Sequence, residues 1–483
     1  MKFSPPYHNE AIFFFLLFFL VFAHSLSAQI NSLPDFGSPA DAIMTISQEE
    51  RLGRSVFAQI LNSGSINENP IVDEYINSLG KNMGVYAQDG EFNFRFFVID
   101  DDEVNAFALP GGYIGIHSAL IRLTEEENEL AGVVAHEIAH VTQRHISRTY
   151  LAQQENTIFA LATMLAGAIL ASASNSSDAA AGAMMAGTAA MQQGQINFTR
   201  AMETDADRVG VQILFQSGFN PLGMPTMFEK LSRISSANRS IIPEFLQTHP
   251  VNVNRIAETR SRANEMRGDY AESTENYLIV RAILEFESFE LPTEARSYFE
   301  SNLRMSGNNQ KDLYGIILSL LALNEPDLAD LYLSDLVNMS SNLIAITDLQ
   351  ARVMSESGQT DEAIALLANN LSLSPRNKTL TLHLAELYSK RSEPELAHDI
   401  LLDLFNIEMP TPNNIRTLAN YADQMGSSTL SRYYLAEYSI STGQLLNARI
   451  QLESVLQEED LDISDRDKYQ ARLDQVIEAL DQS

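Results

Sequence analysis

The sequence predicts a mainly α protein: an α+β domain built around a metal-binding helix, followed by an all-α solenoid of stacked helix pairs. Three observations carry this. The string His136-Glu137-Ile138-Ala139-His140 lies inside a stretch of helical periodicity. Just before it, between Phe92 and Ile121, short alternating and glycine-punctuated runs read as strands and turns. From Ala295 onward, small residues recur every 34 residues.

At the start of the chain, Ala11 to Ala23 is a run of 13 apolar residues, short for a membrane span and matched to the core of a secretory leader. Small residues follow, and Ala28 is the expected last residue before cleavage. Lys2 is offset by Glu10, so an uncleaved anchor stays open. The expected division is a signal peptide over 1–28, a metal-binding hydrolase domain over 29–267 and a repeat domain over 268–483. The chain has no cysteine, which excludes a disulfide framework, thiol chemistry and a lipid-modified cysteine.

Phe92, Phe94 and Phe96 alternate with polar residues before the buried-looking run Phe97-Val98-Ile99, which predicts a strand. Pro110-Gly111-Gly112 is a turn, and Tyr113-Ile114-Gly115-Ile116 resumes an extended pattern. Two roles stay open for this region: a sheet edge that pairs with extended substrate, or an interior hairpin.

Thr124 is the expected N-cap of the next helix, with Glu127 as its capping-box partner. Leu130, Val133, Val134, Ile138 and Val141 then form an apolar stripe that holds the helix in a core. On that helix His136 and His140 share a face, with about 5–6 Å between their Cβ atoms. Two imidazoles at that reach suit one zinc ion, and Glu137 beside them suits a base that deprotonates a metal-bound water. The implied reaction is peptide-bond hydrolysis.

Zinc needs a third protein ligand. Gln143 and Ile146 occupy the places where an extended motif would carry Gly and His, and His145 falls well round the helix. The better candidate is Glu203, with Asp207 one turn on to hydrogen-bond a ligand imidazole, while Asp205 points away. Between motif and candidate, Ile158 to Ala173 and Ala179 to Met191 are apolar and flank a polar Ser174–Asp178 interruption. Two packed helices joined by a polar loop beside the site are expected there, the loop as a lid or the pair as a structural hairpin, with a membrane-dipping hairpin the lesser alternative.

In the C-terminal half, Ala295, Ala329, Ala363, Ala397 and Ser431 stand 34 residues apart. Ile283, Ile317, Ala351, Ala385 and Ala419 lie twelve residues before them, and Phe299, Leu333, Leu367, Leu401 and Leu435 four after. This is a tetratricopeptide pattern. Ala448 restarts it only 17 residues after Ser431, so one helix is expected to serve two units. From Ala271 on there are 34 acidic and 15 basic residues, a net of −19 out of the chain's −31. That surface argues against nucleic acid and anionic lipid, and suits either a basic docking partner or simple solvation.

His136-Glu137-x-x-His140 followed by Glu203-x-x-x-Asp207 resembles the membrane-associated and periplasmic gluzincins related to HtpX and the CAAX prenyl proteases. Asn105–Ile114, the segment Thr248-His249-Pro250 and the repeat tail extend the resemblance over both domains. Asp205 stands where a glutamate is expected. The resemblance implies a periplasmic endopeptidase with one zinc ion per chain, bound by His136, His140 and Glu203. Glu137 would be the base, supported by Asp207. It implies as partners unfolded or misassembled outer-membrane proteins and, through the repeats, the outer-membrane β-barrel assembly machinery; peripheral membrane association stays open. Degradation of stalled β-barrel precursors and assistance in their assembly are both implied. The alternative is a chaperone or scaffold with a latent or structural zinc site.

His249 before Pro250 would by itself be a surface residue. The resemblance places it near the metal, where three roles compete: donor to the oxyanion, acid for the leaving amine, or fourth zinc ligand. The resemblance favours the ligand, which would close the open position and keep the enzyme latent. Arg255 is then expected to stabilise negative charge or hold the loop.

Overall fold

The computed structural model describes residues 44–87, 92–151, 200–237, 243–340, 343–459 and 461–481. The leader-like segment 1–28 and the apolar runs over 158–191 lie outside the described residues. Among the described residues, no helix is long and apolar enough to cross a membrane.

The chain enters through α1 (Ile46–Ser63), capped by a Thr45–Gln48 capping box, and α2 (Pro70–Gly84), capped by Asn69 with proline at its first turn. Three strands follow: β1 (Arg95–Ile99), β2 (Ala106–Ala108) and β3 (Tyr113–His117), in the order β1-β3-β2. β1 runs parallel to β3 and β2 antiparallel, with Ala106 opposite Ile116 and Ala108 opposite Ile114. β2 is therefore an edge strand. Asn77 of α2 fixes the sheet beneath it, donating to the Phe96 carbonyl and accepting from the Phe96 amide.

Next come α3 (Ser118–Leu123), the motif helix α4 (Glu127–Thr142) and α5 (His145–Leu151). The second half of the domain holds α6 (Arg200–Gln216), α7 (Gly223–Ala237), the single turn α8 (Glu244–Thr248) and α9 (Val253–Glu265). Every residue of α4 is buried. Two glycines let its neighbours come close. A Cβ at Gly132 would meet the Met224 backbone of α7 at 2.8 Å, and one at Gly210 of α6 would meet the Ala135 carbonyl oxygen at 3.1 Å.

The start of α4 departs from the expected cap. Thr124 is not its N-cap: the helix begins at Glu127 after Glu126, which makes no side-chain cap. Thr124 Oγ1 instead donates to the Ile121 carbonyl and meets Tyr277 Oη at 2.9 Å. The Glu127 amide donates to Ser273 Oγ, while the Glu127 carboxylate accepts from Tyr75 Oη and from the Thr274 amide and hydroxyl. The cap comes from elsewhere in the chain because a buried helix end must find partners wherever packing supplies them.

Among the described residues, six helix pairs follow: α10 (Glu275–Glu287) with α11 (Pro292–Ser306), α12 (Gln310–Ala322) with α13 (Pro326–Met339), and α14 (Ile344–Glu356) with α15 (Thr360–Leu373). They continue with α16 (Lys378–Lys390) and α17 (Pro394–Phe405), α18 (Pro412–Gln424) and α19 (Ser428–Ser441), and α20 (Leu445–Leu456) and α21 (Ile463–Asp481). Ala295, Ala329, Ala363 and Ala397 are fully buried where helices cross. In α19, Ala436 lies twelve residues before Ala448 of α20, and both share one cluster with Leu452, so α19 belongs to two units. The tight turns repeat too. Asn324, Gly358, Ser392 and Gly426 all have positive φ, and the residue after each donates to the carbonyl five residues back, the Schellman closure of a helix end.

The two halves share one core. Phe96, Leu130, Val134 and Phe228 of the first half and Tyr277, Val280, Ile283, Leu313 and Leu349 of the second belong to one continuous apolar cluster. The solenoid also touches the first domain further along. Glu74 of α2 accepts from Asn377 Nδ2 and from the Thr379 amide and hydroxyl, and Lys378 pairs with Asp73 at 2.5 Å. Burial pushes the Glu74 carboxyl up, and those donors only partly offset it.

Candidate metal centre

Two helices and one loop build the site. α4 contributes His136, Glu137 and His140, α6 contributes Glu203 and Asp207, and the residue closing α8 is His249. α8 is pinned beside the sheet by the Phe245 amide donating to the Val104 carbonyl, and the His249 amide donates to the Phe245 carbonyl at 2.7 Å. One ligand atom from each of His136, His140, Glu203 and His249 lies within 4.8 Å of the others, and all four residues are buried.

Inside this cluster, His136 Nε2 and His140 Nε2 face each other at 3.0 Å. Glu203 Oε2 lies 3.5 Å from His136 Nε2, and Oε1 lies 3.5 Å from His140 Nε2. His249 inserts its ring: Nδ1 lies 3.2 Å from Glu203 Oε1 and 3.4 Å from His136 Nε2, and Nε2 lies 3.5 Å from Glu137 Oε1. Both Glu137 oxygens are buried without a hydrogen-bond partner among the described residues. An unsatisfied buried carboxylate beside three converging imidazoles is costly unless something fills the gap. A donor set of three nitrogens and one carboxylate oxygen is the set that zinc takes. The residues fit a zinc ion.

A second layer of charge holds these groups. His136 Nδ1 is 3.1 Å from Asp207 Oδ1. Arg255 of α9 donates to both Asp207 oxygens, at 2.8 and 2.7 Å, and to the Pro250 carbonyl at 2.8 Å, and its Nη1 is ion-paired with Glu203 Oε2 at 2.8 Å. Its guanidinium also stacks over Phe228, 5.1 Å from the ring centre. One arginine thus ties α6, α9 and the loop carrying His249 together. It is turned toward the supporting carboxylates and the loop backbone.

The electrostatics follow. Burial opposes a charge on His136, but Asp207 and Glu203 outweigh it and raise its pKa to about 9. Burial, with His136 and His249 alongside, drives His140 well below the usual imidazole value. Burial pushes the Glu137 carboxyl up. Burial works against the Glu203 charge too, yet His249 and His136 hold it far below the carboxylate range.

His145 lies outside the four-residue cluster, as the sequence spacing implies, but its Nδ1 meets His140 Nδ1 at 3.0 Å. Asp205 faces away from the cluster toward Arg208, Arg148 and His145. Helical spacing gave no sign of the His140–His145 contact. The contact depends on Arg144, whose φ of 51° ends α4 and turns the chain back. β2, the edge strand expected near the site, lies beside α4 with Phe107 and Ala106 buried and Ala108 half-buried.

Comparison with known proteins agrees with this geometry. Residues 67–263 match the model of peptidase family M48. The β-barrel assembly-enhancing protease of Escherichia coli strain K12 is 33% identical over 464 residues, 94% of this chain and 93% of its own. That of Yersinia pestis is 32% identical over 448 residues, 92% of this chain and 91% of its own. Metalloprotease LoiP of Escherichia coli strain K12 is 28% identical over 186 residues, 38% of this chain and 67% of its own.

Proposed function

This chain belongs to peptidase family M48, and on that premise we propose that it is a periplasmic quality-control endopeptidase for outer-membrane β-barrel proteins. The chemistry class is plain: the chain is a zinc metalloendopeptidase with a tetratricopeptide-like solenoid. The finer reading extends this to misfolded or stalled β-barrel precursors as substrates, to assistance in their assembly, and to the outer-membrane assembly machinery as the solenoid's partner. Near full-length similarity to proteins named for β-barrel assembly supports it, and the apolar run over 11–23 supports export.

The observation that carries the mechanism is the buried cluster of His136, His140, Glu203 and His249 with Glu137 3.5 Å from the last of them. Bound zinc supplies Lewis acidity to the scissile carbonyl and to the attacking water. Glu137 accepts the proton of that water as its oxygen bonds to the carbonyl carbon. It then returns a proton to the leaving amine as the C–N bond breaks. His136, His140 and Glu203 would hold the ion. The Asp207 carboxylate, 3.1 Å from His136 Nδ1, favours a proton on that nitrogen and so leaves Nε2 for the ion, and Arg255 keeps both carboxylates and the Pro250 loop in place. The β2 edge pairs with extended substrate backbone, the binding mode suited to unfolded chains.

His249 would be the resting-state ligand. Its ring stands inside the ligand set and against the base, so substrate entry requires this loop to withdraw. A latent state of this kind suits an enzyme that also assists clients without cutting them. The decisive test is Glu137→Gln. This variant should retain one zinc per chain by metal analysis and lose cleavage of an unfolded substrate by at least about a hundredfold. Substantial residual hydrolysis would assign the base elsewhere.

A further inference from the structure

An ideal helix turns about 100° per residue, so a histidine five residues after His140 would point roughly 140° away from it. The chain does not continue ideally. Arg144 adopts a left-handed φ of 51°, α4 stops, and α5 begins at His145. Arg144 is itself anchored on Glu49 of α1 through Nε at 3.1 Å and Nη2 at 3.0 Å, and Ser147 bonds the same carboxylate. The reversal brings His145, fully buried, edge-on to His140, with ring centres 4.8 Å apart and planes at 77°. The two Nδ1 atoms then stand 3.0 Å apart.

Two facing imidazole nitrogens at that distance share one proton, because two N–H groups would repel and two lone pairs would leave a buried bond unmade. His140 presents Nε2 to the metal cluster, so its proton belongs on Nδ1. His145 Nδ1 is then the acceptor and its Nε2 carries the proton. On that side Asp205 Oδ2 lies 3.7 Å away, and Asp205 is steadied by Arg208 at 2.8 Å. We propose that His145 is a positioning residue for the zinc site, accepting the Nδ1 proton of His140 and so fixing that ligand's tautomer and ring angle.

The place is one that a carboxylate, a carbonyl or a water commonly takes beside a ligand histidine. A neutral imidazole there holds the ligand without adding a formal negative charge next to the metal. His136 is treated differently, since its Nδ1 faces the Asp207 carboxylate. The two helix histidines therefore rest on unlike supports, one anionic and one neutral.

The inference rests on the zinc reading, and the test separates the two. In full-length protein, zinc affinity is measured by chelator competition for wild type, His145→Phe and His145→Gln, alongside the melting temperature of each zinc-free form. His145→Phe keeps a ring but offers no acceptor and should weaken zinc on the order of ten- to a hundredfold. His145→Gln offers an amide oxygen and should recover most of that loss. Nitrogen-15 imidazole shifts of zinc-loaded wild type should show the proton on Nδ1 of His140 and on Nε2 of His145. Wild type that binds no zinc overturns the zinc reading itself. Wild-type affinity in His145→Phe, equal losses in both variants, or an Nδ1–H tautomer at His145 overturns the positioning role alone.

Discussion

At the scale of single residues, the informative fact is how many side chains answer to Arg255. It joins Asp207, Glu203 and the Pro250 carbonyl, so the loop that places His249 and the helix that places Glu203 share one anchor. His249 is the member of the cluster attached to a loop, and the others ride on packed helices. That asymmetry makes it the group able to leave. His249→Ala should keep zinc through His136, His140 and Glu203, raise cleavage of an unfolded substrate several-fold and promote self-cleavage, read by gel and metal analysis. A lower turnover with zinc still bound would instead make His249 a participant in catalysis.

At the scale of elements, the repeat turns separate geometry from composition. Asn324, Gly358, Ser392 and Gly426 occupy equivalent left-handed positions, yet two of the four are not glycine. An L-residue there carries a strain of about 1–2 kcal/mol, which glycine avoids at some cost in unfolded-state freedom. Ser392→Gly should therefore stabilise the protein by about 0.5–1 kcal/mol, seen as a higher midpoint in urea. An unchanged or lower midpoint would mean that the serine side chain compensates.

The solenoid helices also carry a buried charge group. Asp348 of α14 accepts from His383 Nδ1 at 2.7 Å and from Arg352 Nε at 2.8 Å. Burial alone would lift its pKa; Arg352 and His383 outweigh burial and hold it below the ordinary value. A carboxyl whose folded pKa is depressed stabilises the fold fully above its unfolded pKa, about 3.9, and loses that contribution as pH falls through the lower folded value. Asp348→Asn should cost about 3 kcal/mol at neutral pH and flatten the loss of stability in strong acid, measured by denaturant titration across pH.

At the scale of the whole molecule, the catalytic half and the repeat half are not separable bodies joined by a tether. Tyr277, Val280 and Ile283 of α10 lie in the same apolar cluster as Leu130 and Val134 of α4, and Ser273 and Thr274 bond the first residue of α4. Removing Asn276–Ser483 should therefore reach into the first domain. It should bare the core beside the metal helix and lower both solubility and zinc retention. A well-folded, zinc-loaded fragment with an unchanged melting temperature would contradict this. The Glu74 and Asp73 contacts to α16 tie the fourth helix pair back onto α2.

The sequence by itself determined the helix that carries the chemistry, because a one-turn spacing of two imidazoles around a carboxylate is a local property. It determined the solenoid as well, since a 34-residue period encodes packing between neighbours in the chain. It set out Glu203, Asp207, His249 and Arg255 as candidates by residue type and by resemblance, with no distance between them. Only the tertiary structure decided that Ser273, rather than Thr124, caps the metal helix, that α2 and α16 meet, and that His145 turns back onto His140. Each of these depends on contacts between distant segments or on one left-handed residue. Neither leaves a period or a fixed spacing in the sequence to read.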